Sequence, residues 1–286
     1  MKRIILILLT ITIIIGVTGC FKRDNLENIN IITTVYPVEY ITNKIYGKHS
    51  LVNSIYPDDT NTKNYEFREK QLKDFSKKDL FIYLGSTSDK DIAANLVNKS
   101  NGNILIIDGS FGMEYINKEE ELWLDPSNLL MIAQNIKTGL KEYIKNNYLK
   151  KEIDTSYDAL KVDLSELDAE LKLTAENAKR KTIVTSNDAL KFLEKYGFNV
   201  ISISNSNEKT LNEVKAKIKN NEINYIYMLD HDKESNIIKN LINTTKVKIL
   251  KLKTLDTISD EDRDNKLDYI NLMNNNLDNI KKGTYN

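Results

Sequence analysis

The stretch "IDTSYDALKVDLSELDAELKLTAENAKR", residues 153–180, contains neither proline nor glycine, and its apolar residues recur every three or four positions. That spacing predicts a continuous amphipathic helix. At about 1.5 Å per residue it would reach roughly 40 Å, longer than a small domain needs to cover its own core. It therefore reads as a rigid connector, and the sequence on either side should hold two separate units.

Upstream, short apolar runs alternate with helical patterns. "INIITTVY" (29–36) is β-branched, and "VEYITNKIYG" (38–47) is amphipathic and closed by Gly47. "SLVNSIYP" (50–57), "DLFIYLG" (79–85) and "NILIIDG" (103–109) are further strand patterns, with a helical stretch over 70–78 between the first two. The near-total apolarity of "DLFIYLG" is that of a parallel strand covered on both faces. After Pro126, residues 129–148 read as helical. Downstream of the connector come "KTIVTS" (181–186), "GFNVISIS" (197–204), "INYIYML" (223–229) and "KVKILKL" (246–252), separated by helical stretches. A last helix, "LDYINLMNNNLDNIKKG", ends at Gly283. Strands alternating with helices predict βαβ units and parallel sheets. The expected fold is thus α/β, with an N-terminal lobe over 21–150, a long linking helix over 151–180 and a C-terminal lobe over 181–286.

Residues 1–20 read differently. Met1, Lys2 and Arg3 form a basic start, and the apolar run 4–17 is too short to cross a bilayer comfortably. It ends in small residues, as a secretory signal does. Its last four residues, "VTGC" (17–20), resemble the lipobox at which bacterial lipoproteins are cut before a lipidated cysteine. Cys20 is then the lipidation site and the first mature residue, and the protein is expected outside the cytoplasmic membrane, tethered to it by lipid. As Cys20 is the only cysteine, an intramolecular disulfide is excluded.

Composition removes other classes. The 41 Lys and Arg balance 41 Asp and Glu, and aromatics make up 8% of the chain, leaving neither a basic field nor a base-stacking stripe for nucleic acid. No G-x-S-x-G, H-E-x-x-H or P-loop pattern occurs, so an enzyme is not expected.

Five ordered segments carry a family resemblance: "TTVYPVEYITNKIYG" (33–47), "YPDDTNTKNYEFREKQLKDFSKKDLFIYLG" (56–85), "LWLDPSNLLMIAQNI" (122–136), "AKRKTIVTSNDALKFLEKYGFNVISIS" (178–204) and "LDYINLMNNNLDNI" (267–280). Together they resemble the zinc and manganese solute-binding lipoproteins of bacterial ABC importers, solute-binding protein family nine. The resemblance implies two (βα) lobes joined by one long helix, a divalent metal ion (zinc or manganese) held in the cleft between them, a monomer, and delivery to an ABC permease in the cytoplasmic membrane. It also implies four ligand positions, three histidines and a carboxylate.

At those positions this chain departs from the pattern. The "DPHxYEP" histidine falls on Lys63 in "NTKNYEF", the "HxWLDP" histidine on Glu121, and the "VTSHDAF" histidine on Asn187 in "VTSNDAL". The carboxylate falls on Asp256 in "LKTLDTIS". A protonated lysine has no lone pair to donate. A dication about 4 Å from its ammonium would meet repulsion on the order of 8 kcal/mol at an effective dielectric of 20.

Two readings of the cleft follow. In one, Lys63 is a built-in cation that pairs with Glu121 and Asp256 and closes the lobes without metal; such a chain would be a non-transport, partner-binding surface lipoprotein. In the other, Lys63 turns to solvent and Glu121, Asn187 and Asp256 offer hard oxygen ligands suited to manganese, magnesium or calcium. Recruitment of a nearby residue such as Asp188 or Glu66 is an alternative to both. His231, in "LDHDKES", and His49 read as solvated loop residues. Trp123 reads as packing of the WLDP corner, with Asp125 and Ser127 as caps of the helix that follows.

Overall fold

The computed structural model describes residues 26–114, 121–204 and 206–285. The signal and lipidation readings at residues 1–20 lie outside them. Two four-stranded sheets, all parallel, form the two lobes.

The first has the order β2-β1-β3-β4, from β1 (Ile29–Thr33), β2 (Ser50–Ser54), β3 (Leu80–Tyr83) and β4 (Leu105–Asp108). Its crossovers carry α1 (Tyr36–Tyr46), α2 (Glu69–Phe75) and α3 (Asp89–Lys99). The second has the order β6-β5-β7-β8, from β5 (Thr182–Thr185), β6 (Asn199–Ser202), β7 (Tyr225–Leu229) and β8 (Lys248–Leu252). Around it lie a 3-10 segment (Asp188–Tyr196), α6 (Glu208–Lys219) and α7 (Asn236–Thr245). Here α4 is Pro126–Tyr143, α5 is Asn147–Asn177, α8 is Asp260–Asp264 and α9 is Tyr269–Thr284.

The apolar runs behave as helix-covered parallel strands do. Leu80, Phe81 and Ile82 of β3 are all fully buried. In β7, Ile226 and Met228 pack into a smaller cluster on one face, while Tyr227 and Leu229 join the main core on the other. That main core is continuous across both lobes: Ile31, Leu84, Leu164, Leu252 and Leu272 belong to one cluster. Separate sheets are thus fused over a shared apolar seam, which limits how freely the lobes can open.

The connecting helix is longer than its sequence pattern suggested, with different ends. The helical reading of 129–148 is broken: α4 stops at Tyr143, and the Asn146 side chain accepts from the Tyr148 N–H and caps a new helix. The preference of asparagine for N-caps explains the break. From Asn147 to Asn177, 31 residues, the helix is about 46 Å long. Its buried stripe, Leu149, Ile153, Tyr157, Leu160, Leu164, Leu167 and Leu171, packs against α1 and α4 of one lobe and α9 of the other.

Candidate functional site

A cleft of about 580 Å3 opens where strands from both sheets end. Val35, Tyr56 and the 87–89 turn follow β1, β2 and β3, while Thr254 and Asp256 follow β8. Ligands of open parallel sheets bind at this edge, where loops diverge and leave a crevice.

The "ELWLDPSN" corner (121–128) supplies one wall. Leu122–Leu124 form a single 3-10 turn, and Asp125 caps α4 by accepting from the Ser127 N–H at 2.9 Å, with Pro126 in the first turn. Trp123 is buried, and its Nε1–H donates to the Thr254 carbonyl at 2.7 Å. The Tyr269 hydroxyl donates to the Trp123 carbonyl at 2.5 Å. The corner is therefore tied to the second lobe at two points, and this fixes where Glu121 sits. The Glu121 side chain is only 6% exposed, and its Oε1 lies 2.5 Å from Lys63 Nζ.

Lys63 arrives on the Thr62–Asn64 turn, whose start is capped by the Asn61 side chain accepting from the Lys63 N–H. Thr62, one position earlier, reaches across to the other lobe: its N–H and hydroxyl both donate to Asp256 Oδ2, at 3.1 and 2.8 Å. The second Asp256 oxygen, Oδ1, lies 2.9 Å from His231 Nδ1. Leu255 holds a left-handed backbone (φ 62°), an unusual state for a branched residue and one that aims Asp256 into the cleft. The Tyr36 N–H, donating to the Asp256 carbonyl at 2.9 Å, holds that turn in place.

Burial pushes the Asp256 carboxyl up, but the hydrogen bond and charge of His231 and the two Thr62 donors outweigh it, leaving Asp256 below the usual carboxylate range. His231 is raised above the ordinary imidazole value, chiefly by its bond to Asp256, against the opposing effect of burial. The His231 contribution to stability is thus fully present below the unfolded imidazole pKa and is lost as pH rises through the raised folded value. Asp256 contributes above the unfolded carboxylate pKa and loses that contribution as pH falls through its depressed one. His231→Asn should therefore cost about 1 kcal/mol near pH 5.5, and the cost should shrink toward pH 8. Urea unfolding of both proteins at the two pH values checks this; a cost independent of pH would refute the charged pair.

The Lys63–Glu121–Asp256 cluster expected from the sequence is accordingly corrected to two pairs. Lys63 neutralises Glu121, and Asp256 takes its charge partner from His231. His231, read from sequence as a solvated loop residue, is a partly buried partner of the cleft residue Asp256; its position in "LDHDKES" directly after a strand was the available signal, and only the adjacency of β7 and β8 in the second sheet places it beside Asp256. Asn187 does not line the cleft. Its Oδ1 accepts from the Ala189 N–H at 3.0 Å and its Nδ2 donates to Asp232 Oδ2 at 2.6 Å, so it is consumed as a cap and a loop tie. Asp188 pairs with Lys191, and Glu66 is exposed outside the cleft lining. His49 pairs with Glu152 on α5 rather than lying in open solvent.

A further buried carboxylate of the cleft was not singled out from sequence. Asp89, at the start of α3, is buried in the cleft wall, and burial pushes its carboxyl up to about 6. Among the described residues, no three His, Cys, Asp or Glu side chains converge tightly enough to hold one ion together. As arranged, the cleft holds three buried carboxylates: Glu121 beside the Lys63 ammonium, Asp256 beside the His231 imidazole, and Asp89.

Comparison with known proteins gives a consistent outcome. The family model described as zinc-uptake complex component A, periplasmic (ZnuA), matches residues 31–283. The zinc-binding protein AdcA of Streptococcus pyogenes serotype M3 is 24% identical over 90% of this chain and 56% of its own length. The high-affinity zinc uptake system protein ZnuA of Bacillus subtilis is 22% identical over 89% of this chain and 87% of its own. The chain thus spans little more than half the length of the AdcA proteins it matches. Among solved structures, the Zn(II)-bound ZnuA-like domain of Streptococcus pneumoniae AdcA superposes with a TM-score of 0.75 at 23% identity, covering 91% of this chain and all of that one. The metal-dependent lipoprotein YcdH of Bacillus subtilis gives 0.77 at 22%, with 91% and 100% covered. At these identities the structural likeness speaks for the fold: two lobes, parallel sheets and a joining helix.

Proposed function

We propose that this chain, which belongs to the family of periplasmic zinc-uptake components (ZnuA), is the extracytoplasmic solute-binding lipoprotein of a metal-ion ABC importer. Zinc is the proposed cargo, as it is for relatives named zinc-binding and zinc-uptake proteins. Capture would occur in the interlobe cleft, and delivery would be to a membrane permease. The protein performs no reaction of its own; it is a monomer anchored through lipid on Cys20.

The observation that carries this reading is the placement of Glu121 and Asp256, both buried, on opposite lobes of one cleft at the strand ends. Two anions held at that edge are an unfavourable arrangement unless a cation is accommodated there. In this chain Lys63 and His231 meet them, so a cargo ion must displace the Lys63 ammonium from Glu121 and accept a neutral His231. Carboxylate oxygen and imidazole nitrogen together form a donor set zinc accepts. Ligation by Lys63 itself is not part of the proposal, because the protonated amine has no lone pair.

The test is metal content and thermal shift on the chain lacking residues 1–20. Zinc is expected to raise the melting temperature and to bind near one equivalent. No shift with zinc, manganese, iron or calcium would sink the transport reading. A second reading, a partner-binding lipoprotein whose cleft carries its own cation, is favoured by the Lys63–Glu121 pair; the same titration separates the two.

A further inference from the structure

The end of the first lobe opposite the cleft carries a feature the cleft does not explain. At the N-terminal edge of the β2-β1-β3-β4 sheet, the chain enters β1 at the centre, since Leu26 is buried there and the Asn28 N–H donates to the His49 carbonyl. On the β3–β4 side, Leu26 itself lines a pocket of about 630 Å3 with Lys73, Lys77, Lys78 and Lys99, alongside Asp79. On the β2 side, a second pocket of about 330 Å3 holds Lys44, Lys48, Lys151 and the His49–Glu152 pair. The entering chain is thus flanked by lysines on both sides.

Some of that charge is neutralised locally. Lys77 pairs with Asp74, Lys99 with Glu69 and Lys44 with Asp268, and Asp79 accepts from the Asn30 N–H. Lys48, Lys73, Lys78 and Lys151 have no ion pair with any described carboxylate. Two large apolar or aromatic side chains stand exposed on the same edge: Leu51, 61% exposed and paired in register with Asn30, and Tyr148, 66% exposed and bonded to Glu152. Exposed lysines with an aromatic and an aliphatic side chain among them are the composition of a surface that meets lipid headgroups.

The tether sets the distance. Leu26 lies only six positions beyond Cys20, so a lipid on Cys20 keeps this edge within roughly 20 Å of the bilayer.

We propose that this edge rests on an anionic phospholipid surface, with the lysines against lipid phosphates and the cleft turned away at the other end of the strands. The proposal rests on the lipid-anchor reading for the approach to the membrane, while its chemistry belongs to the folded surface. Attraction of lysines to anionic headgroups is screened by salt over about 10 Å at 0.1 M, so the contact is salt-sensitive.

The test uses the unlipidated chain from residue 21, which keeps every residue of the fold described above. It is sedimented with vesicles of phosphatidylcholine alone or with about 30% phosphatidylglycerol, an anionic fraction high enough to set up the surface potential, at low and high salt. At least tenfold more binding to the anionic vesicles is expected, falling at high salt. The double variant Lys73→Glu and Lys78→Glu should lose at least tenfold, a lysine at such a surface being worth roughly a fivefold change. Circular dichroism and zinc titration of the variant show that the fold and cleft persist. Equal binding to both vesicles, no binding to either, or an unaffected variant would overturn the proposal. So would millimolar inorganic phosphate raising the melting temperature, with loss of that shift in the variant, while vesicles stay unbound; the pocket would then serve free phosphate. The mass of protein extracted from membranes reports lipidation at Cys20 separately, so failure of the anchor reading is distinguishable.

Discussion

Replacing Lys63 by histidine is expected to raise zinc affinity by about 100-fold, or about 2.7 kcal/mol. Three effects act together. The ammonium that now lies 2.5 Å from Glu121 Oε1 is removed, freeing a buried carboxylate that would otherwise have to be pulled from its partner. The repulsion between a dication and the tethered charge disappears. The new imidazole brings a nitrogen donor to the position at which the family resemblance implies a histidine. The Coulomb figure for two such charges at close range is larger than the expected gain. The Lys63 side chain is 42% exposed, however, and can move its charge into water, which weakens the repulsion actually met. Competition of the variant and the parent against a zinc chelator measures the change. An unchanged affinity would mean that zinc does not bind at Glu121, and the cleft assignment would have to be abandoned.

Removing the guanidinium of Arg263 is expected to destabilise the protein by about 2–3 kcal/mol at pH 7. Arg263, on α8 of the second lobe, meets both oxygens of Glu39 on α1, at 3.1 and 3.3 Å. It also meets both oxygens of Asp58, at 2.5 and 2.9 Å. This bidentate geometry on two carboxylates is one that only arginine offers. It clasps the lobes beside the 58–62 loop, where the Asp59 N–H donates to the Ile258 carbonyl and the Thr257 hydroxyl to the Thr60 carbonyl.

Glu39 is 5% exposed, so Arg263→Ala strands a carboxylate in the interior. The estimate lies below the usual cost of breaking a buried pair because the Arg263 side chain is 43% exposed. Burial holds the Glu39 carboxyl above its ordinary value even with Arg263 present, and the guanidinium pulls it down. With a raised folded pKa, Glu39 costs stability at neutral pH, and that cost is relieved as pH falls through the raised value. Loss of Arg263 raises the value further, so the defect of the variant should narrow between pH 7 and pH 5. Thermal melts at both pH values test this, with an expected drop of about 5–10 °C at pH 7. A defect that is small at pH 7, or the same at both, would show that the clasp contributes little.

Much of the fold was legible in the residues themselves. The apolar runs at 79–85 and 223–229 could only be satisfied by parallel strands covered on both faces, and β3 and β7 are such strands. The three- and four-residue apolar spacing after residue 153 was equally plain, since Ile153, Leu160, Leu164, Leu167 and Leu171 lie on one buried stripe. The helix ends were not legible, because a single asparagine cap at Asn146 outweighed an apolar pattern that runs on past Tyr143.

The candidate site was legible only in part. Lys63 and Glu121 could be brought together from the family pattern, and they stand in contact. Asn187 shares that pattern but spends both ends of its amide locally, on Ala189 and Asp232. His231 was hidden for the opposite reason: nothing near it in sequence needs a histidine, and its partner Asp256 is contributed by a different loop.

The sequence by itself determined what local chemistry can determine: the alternation of strands and helices, and the joining helix. Hydrophobic periodicity and capping act over a few residues, so they are written along the chain. The tertiary structure alone decided which charge answers which. Ion pairs form between groups a few ångströms apart in space, however far apart they lie in the chain. Folding within each lobe set Asp256 against His231 and Glu121 against Lys63, while closing the two lobes on one seam brought Thr62 to Asp256 and gave Glu39 and Asp58 to Arg263.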